Sequence, residues 1–324
     1  MKPHRRQVLR LAAAVAIPTS LRVAQAQAYP ARPVRIVVGY AAGGGTDIVA
    51  RLLGQRLSEQ LGQQFIIENR LGAATNLATD AVVRAPPDGY TLLMVTPANA
   101  INATLYEKLN YNFVRDVAPV AAIVREPCVI VVNPLFPPKT LPDFIAYANA
   151  NPGKINMASA GSGSISHLAG ELFKMMTGVN LVQVPYRGGA PAIADLLGGQ
   201  VQVYFAIVPT SVDHIRAGKL RALAVTTKKR LEALPETPTT DEFVPGYEIS
   251  NWAGIGVPRN TPANIIDKLN KEINLALVDP KMSAQLAELG RELLPGSPTD
   301  FGKLIAEETA KWGKVIRAAH IKAD

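Results

Sequence analysis

The chain has 324 residues, 48% of them apolar and 19% charged, enough for two domains of ordinary size with buried cores, which excludes wholesale disorder. Its formal charge is +8, but Lys2, Arg5, Arg6, Arg10 and Arg22 all fall within residues 1–28, which hold no acid. The remaining 29 basic and 26 acidic residues form a near-neutral body without the basic footprint of a nucleic-acid binder, so no nucleic-acid partner is expected.

The chain begins with a basic stretch to Arg10, an apolar stretch at 11–17, and small residues ending in Ala24, Ala26 and Ala28. That order reads as a cleavable export signal over residues 1–28 and predicts a periplasmic protein. Pro18 and Arg22 interrupt the apolar run well short of the roughly 20 residues a membrane span needs. Arg5-Arg6 also resembles the twin-arginine export signal, leaving that route and ordinary secretion both open. Cys128 is the one cysteine, set beside the apolar residues Val129 and Ile130, so a buried, inert thiol is expected and no internal disulfide can form. His4, His167, His214 and His320 are scattered, and neither a metal site nor a cofactor is expected.

Downstream, short β-branched runs alternate with helical periodicity, the pattern of parallel α/β units. Strands are predicted at 34–38, 65–67 and 90–95, with helices at 48–61 and 77–83 between them. Around Val129 the pattern restarts, with strands at 129–132, 155–158, 181–184, 201–205 and 221–225 and helices at 141–150, 165–177, 190–197 and 212–216. The proline-rich interval 234–246 reads as a linker or surface loop. Thr261-Pro262, Asp279-Pro280 and Ser297-Pro298 each offer a cap followed by proline, so three helices should close the chain. The expected fold is α/β with two lobes: residues 29–125 and 251–324 in lobe 1, residues 126–250 in lobe 2, and a ligand cleft between them.

Two glycine-rich turns each join a predicted strand to a helix N-terminus. Gly43-Gly44-Gly45-Thr46-Asp47 lacks the lysine of a phosphate loop and the spacing of a dinucleotide fingerprint; Asp47 is either part of an anion-binding turn or a simple helix cap. Ser159-Ala160-Gly161-Ser162-Gly163-Ser164 repeats the device in the second lobe. Backbone amides and the helix dipole at such turns favour an anion, and two opposed turns suit a ligand with two carboxylates, each held by charge-assisted hydrogen bonds. Ser162 and Ser164 could donate to an oxygen, or Ser164 could only cap its helix. His167, in the first turn of that helix and off its apolar stripe, could line the cleft or pair with Glu171. A Ser-His hydrolase using Ser162 or Ser164 is the enzymatic alternative, but the spacing here is one residue tighter than a Gly-x-Ser-x-Gly elbow.

At these residues the sequence resembles the Bug receptors, the extracytoplasmic solute receptors of tripartite tricarboxylate transporters. The matching stretches, in order, are Tyr29-Pro30 through Arg35, Gly43 to Asp47 with Ala50-Arg51, Ile67-Glu68-Asn69-Arg70, and Pro87-Asp88-Gly89-Tyr90-Thr91-Leu92-Leu93. They continue with Gly161-Ser162-Gly163-Ser164 and His167-Leu168, Val184-Pro185-Tyr186-Arg187-Gly188, Gly218-Lys219-Leu220-Arg221 running on to Thr226, and Lys311-Trp312. The resemblance implies the two-lobe periplasmic binding protein fold, a monomer, no enzymatic activity, a small organic acid as ligand, and the membrane subunits of a tripartite transporter as partner. A sensor role beside a two-component system would use the same cleft. By position it assigns ligand binding to Gly44, Gly45, Thr46, Ser162, Ser164 and His167, within turns that also contain Asp47 and Gly163, and adds Thr96, Asn99 and Tyr186 as further cleft candidates. Two departures bear on the ligand. Gly39, Ala41 and Ala42 stand where relatives often carry proline, which implies a roomier first loop. Ala206 stands at a frequently polar or acidic place, which favours a plain or aromatic carboxylic acid over an amino acid.

Overall fold

The computed structural model describes residues 29–186, 188–288 and 290–323, so the export signal expected at 1–28 lies outside the described residues. The first unit starts with β1 (Val34–Val38), which turns Val34, Ile36 and Val38 into one apolar cluster with Val49, Ala50, Leu53 and Leu57 of α1 (Gly45–Leu61). These helical positions recur on one face, as a helix laid on a sheet requires. Gly62 caps α1 at its C-terminus. β2 (Phe65–Asn69) and β3 (Thr91–Val95) pair in parallel with β1 on either side. A short 3₁₀ turn at Ala73–Thr75 and α2 (Asn76–Val83) make the crossover between them.

α3 (Pro97–Leu105) and α4 (Phe113–Asp116) lead into β4 (Val117–Val132), a 16-residue strand that belongs to both units. Its first half pairs antiparallel with β9 (Ser250–Pro258) and β10 (Glu292–Leu293). Its second half pairs antiparallel with β7 (Val203–Ile207) and β8 (Arg221–Val225). Sequence reading located only the stretch 129–132. The earlier half carries Pro119, which cannot donate to a ladder, and the register shifts immediately after it, so a bulge accommodates what reads locally as a non-strand.

In the second unit β5 (Ile155–Ser159) lies between β6 (Leu181–Pro185) and β7, parallel to both. The helices α5 (Leu141–Ala150), α6 (Ile165–Thr177), α7 (Gly189–Leu197) and α8 (Val208–Arg216) connect these strands. The continuous strand order is β2-β1-β3-β9-β4-β7-β5-β6, with β8 and β10 pairing to β4 off that path. The interval 234–246 runs as loop broken by a 3₁₀ turn at Thr240–Glu242. Cys128 is buried in β4, and burial pushes its thiol up to about 12.

Three helices close the chain at the expected places: α9 (Ala263–Leu277), α10 (Pro280–Glu288) and α11 (Pro298–Ala318). Ser297 caps α11, its hydroxyl accepting from the Asp300 amide at 3.1 Å while Asp300 accepts from the Ser297 amide at 3.0 Å. α9 packs on α1 and β4, which returns the tail to the first unit. α3 and α11 do more, because Ile101, Leu105, Trp312 and Val315 enter the same apolar cluster as Phe144, Leu168, Phe173 and Tyr247 of the second unit and its connection to β9. The crossing strands are therefore accompanied by an apolar contact that the sequence did not reveal.

Candidate functional site

A cavity of about 310 Å³ opens between the two units. The first unit supplies Gly39, Tyr40 and Ala41 after β1, the segment from Leu71 through Ala74 to Thr75, and Ala98 and Asn102 of α3. Opposite them stands the turn Ala160, Gly161, Ser162, Gly163 and Ser164 between β5 and α6. These positions are the carboxyl ends of β1, β2, β3 and β5, where open α/β sheets place ligands.

Of the residues expected to bind ligand, Ser162, Gly163 and Ser164 line this cavity. The Ser164 hydroxyl donates to the Gly161 carbonyl at 2.6 Å and accepts from the His167 amide at 3.4 Å, so it caps α6. His167 is buried, and its Nδ1 accepts the Gly163 amide at 3.0 Å, which folds the turn onto the helix. Its Nε2 lies 3.8 Å from Glu171, which also pairs with Lys174 at 2.9 Å. His167 shapes the turn from behind and is not in the cavity wall. Among the described residues, the Ser162 hydroxyl is the side-chain donor of this turn without a partner inside the protein.

The first turn divides differently. Gly39 to Ala41 face the cavity, whereas Gly44, Gly45 and Thr46 sit beyond its wall. Asp47 is fully buried and accepts from the Gly43 amide at 2.8 Å, from Asn69 at 2.8 Å and from Arg51 at 2.7 Å. Burial by itself would raise this carboxyl, but the hydrogen bonds from Arg51, Asn69 and Gly43 outweigh it and hold it below the usual carboxylate range. Asp47 anchors the turn. Asn69 also donates to the Tyr40 carbonyl at 2.9 Å, tying the end of β2 to the cavity wall.

Thr96 and Asn99 begin α3 behind that wall, where the Thr96 amide donates to Asn99 Oδ1 at 2.8 Å and the hydroxyls of Thr96 and Tyr40 lie 3.1 Å apart. Asn99 donates in turn to Thr79 at 2.8 Å. Burial pushes the Tyr40 phenol up, and the nearby Glu126 carboxylate adds to that. Tyr186 lies outside the wall and donates to Asp195 at 2.6 Å; burial and this partner push it up to about 12. Ala206 is buried in the core of the second unit with Val129 and Val131 and has no place in the wall.

Sequence reasoning missed the segment 71–75. Ala73, Ala74 and Thr75 take φ values of 45°, 48° and 76°, a left-handed run that costs side-chain-bearing residues energy. Asn102 holds it by donating to the Ala74 carbonyl at 2.5 Å and to Asn76 at 2.9 Å. Gly72 and two alanines between a strand and a helix were the available signal, but such residues carry no recognisable chemistry. Among the described residues, no group of three or more His, Cys, Asp or Glu could hold a metal, and no helix is long and apolar enough to cross a membrane.

Residues 49–321 match the receptor of the tripartite tricarboxylate transporter family. BugT of Bordetella pertussis is 36% identical over 313 residues, covering 96% of this chain and 94% of BugT. The solved structure of Rpa4515 of R. palustris with adipate is 40% identical, with a TM-score of 0.82 over 91% of this chain and 99% of that one. MatC of Rhodopseudomonas palustris with bound malate is 34% identical, with a TM-score of 0.78 over 89% of this chain and 100% of that one. These likenesses run through both units and the strands that join them, and on that ground the chain belongs to the receptor family of the tripartite tricarboxylate transporters.

Proposed function

We propose that this protein is a periplasmic receptor that captures a small organic carboxylate in the cavity between its two units and presents it to the membrane subunits of a tripartite transporter. The observation that carries this reading is a cavity walled from both sides by strand-to-helix turns. Turns of this kind hold an anion with backbone amides and helix dipoles, without a charged side chain. The adipate and malate carried by Rpa4515 and MatC are acids of this class. We take residues 29–125 and 251–324 as lobe 1 and 126–250 as lobe 2, a division supported by the change of partners along β4 and by the return of the chain through β9. Within this reading Ser162, Gly163 and Ser164 contribute the lobe 2 side. Gly44, Gly45, Thr46, Asp47, Thr96, Asn99, His167 and Tyr186 support the wall or close on the ligand from outside it. A monomer exported by the signal at 1–28 completes the proposal.

The hydrolase alternative has little to stand on. A serine nucleophile needs its proton directed at a base, and Ser164 directs its own to the Gly161 carbonyl. A thermal-shift screen of the mature protein over mono-, di- and tricarboxylates tests the receptor reading, because a ligand bound only by the native state raises its melting temperature. Stabilisation by at least one acid recovered chemically unchanged after overnight incubation is the expected result. No stabilisation by any acid, or turnover of an ester analogue, would overturn it.

A further inference from the structure

The cavity wall points to the kind of acid, an inference that rests on the receptor reading above. We propose that the site selects carboxylates whose carbon skeleton carries no hydroxyl, unsubstituted aliphatic dicarboxylates above all, and discriminates against hydroxy acids.

Ala41, Leu71, Ala74, Ala98 and Ala160 make the apolar part of the wall, beside Tyr40, Thr75 and Asn102. Leu71, the largest of these apolar side chains, is 55% exposed. The polar side chains of the wall are already engaged. Asn102 donates to the Ala74 carbonyl and to Asn76, Tyr40 is bonded to Thr96, the buried Thr75 hydroxyl accepts from Asn99 at 3.5 Å, and the Ser164 hydroxyl donates to Gly161. Ser162 is left, and a carboxylate oxygen claims it ahead of a ligand hydroxyl because charge-assisted hydrogen bonds are the stronger ones. A hydroxyl in the middle of the ligand would then give up its water and find methyl groups. Among the described residues, no charged side chain lines the wall that could hold that hydroxyl through an ordered partner. An apolar wall rejects an added hydroxyl by about 100-fold, so that is the discrimination expected here.

Matched acids isolate the effect, since succinate and malate, or glutarate and 2-hydroxyglutarate, differ by a single hydroxyl. Calorimetric titration of the mature protein with these four acids and with adipate should give each plain acid the tighter binding, by about 100-fold. Malate bound as tightly as succinate, or more tightly, would overturn the proposal while leaving a carboxylate receptor in place. Failure of all five acids and of every other acid in the screen would remove the receptor reading and this inference together. Ala98→Ser places a hydroxyl on the wall itself, and it should narrow the succinate-to-malate gap by about tenfold through one recovered hydrogen bond. An undiminished gap in this variant would overturn the assignment of the selectivity to this wall.

Discussion

Two serines two positions apart illustrate how differently neighbouring residues can serve one site. Ser164 closes its hydrogen bonds within the turn, accepting from His167 and donating to Gly161, so Ser164→Ala should destabilise the protein by roughly 0.5 to 2 kcal/mol, the ordinary cost of a lost N-cap. Ligand affinity should change little. Ser162→Ala should do the reverse, leaving the melting temperature in place and weakening carboxylate binding by about tenfold or more, because a hydrogen bond to a charged acceptor is the stronger kind. Thermal melts and calorimetry on the same two variants separate the roles, and an affinity loss confined to Ser164→Ala would reverse them. The sequence showed both hydroxyls but not their directions, which depend on how His167 folds the turn back. Asp47, like Ser164, spends its hydrogen bonds on holding its own turn. Its carboxyl is held below its ordinary value of 3.8, so the unfolded chain takes up the proton first as pH falls. The stabilisation it brings is therefore fully present above that value and is lost as pH drops through its lower folded pKa. Asp47→Asn should lower the melting temperature at pH 7, and the difference from the unsubstituted protein should shrink as pH falls below about 3.8. A constant difference across that window would mean that shape rather than charge anchors the turn.

The elements that could be read from the sequence are those whose local pattern agrees with their surroundings. β1 and α6 occupy the predicted limits, because apolar alternation and a helical stripe are visible in a few residues. β9 was not legible, since Gly254 and Gly256 read as loop; a Cβ on Gly254 would collide with the ring of Phe301 from α11, a contact made across more than 40 residues of sequence. α3 was hidden as well, because Pro97, Asn99 and Asn102 dilute its apolar face while serving as cap and brace. The cavity segment 71–75 is the same problem at its sharpest. Its alanines carry no chemistry, and their left-handed conformations are imposed by Asn102 and by the start of α2. Glycine at Ala74 would escape the roughly 1 to 2 kcal/mol penalty of that conformation, less the roughly 0.4 to 1 kcal/mol that greater freedom of the unfolded chain takes back. Ala74→Gly should therefore raise stability by up to about 1.6 kcal/mol, measured by chemical denaturation. A destabilised variant would show that the methyl group on the cavity wall outweighs the backbone strain.

At the scale of the whole molecule, the crossing between the two units and an apolar contact lie close together. Where the chain crosses between units, Glu126 on β4 accepts from Asn251 on β9 and from Arg291 just before β10, each at 2.5 Å, and Arg291 donates onward to the Gly45 carbonyl at 3.2 Å. One buried carboxylate thus joins both crossing strands to the first turn of α1. Removing a partner from a buried pair of this kind typically costs about 3 to 5 kcal/mol, so the clasp holds the pivot firmly. Leu105 and Trp312 share an apolar cluster with the second unit, so closure on ligand is expected to turn about this contact in a limited rotation. Bound ligand should therefore produce a modest fall in radius of gyration. Gly163 is the point at which that rotation can be blocked. Its φ is 72°, and a Cβ placed there would lie 2.5 Å from Leu105 Cδ2 on α3, a side chain packed into the shared cluster. Gly163→Ala should act as a wedge, weakening ligand affinity and leaving the protein larger by small-angle scattering at saturating ligand. The same substitution also strains the backbone of the turn, and a second variant distinguishes the two effects. Leu105→Ala empties the space the new methyl group would strike but does nothing for the backbone angle. In the double variant, a wedge predicts that compaction on binding returns even though stability stays low. If compaction remains absent in the double variant, the strained turn itself is the cause, and the lobe contact does not set the closed position.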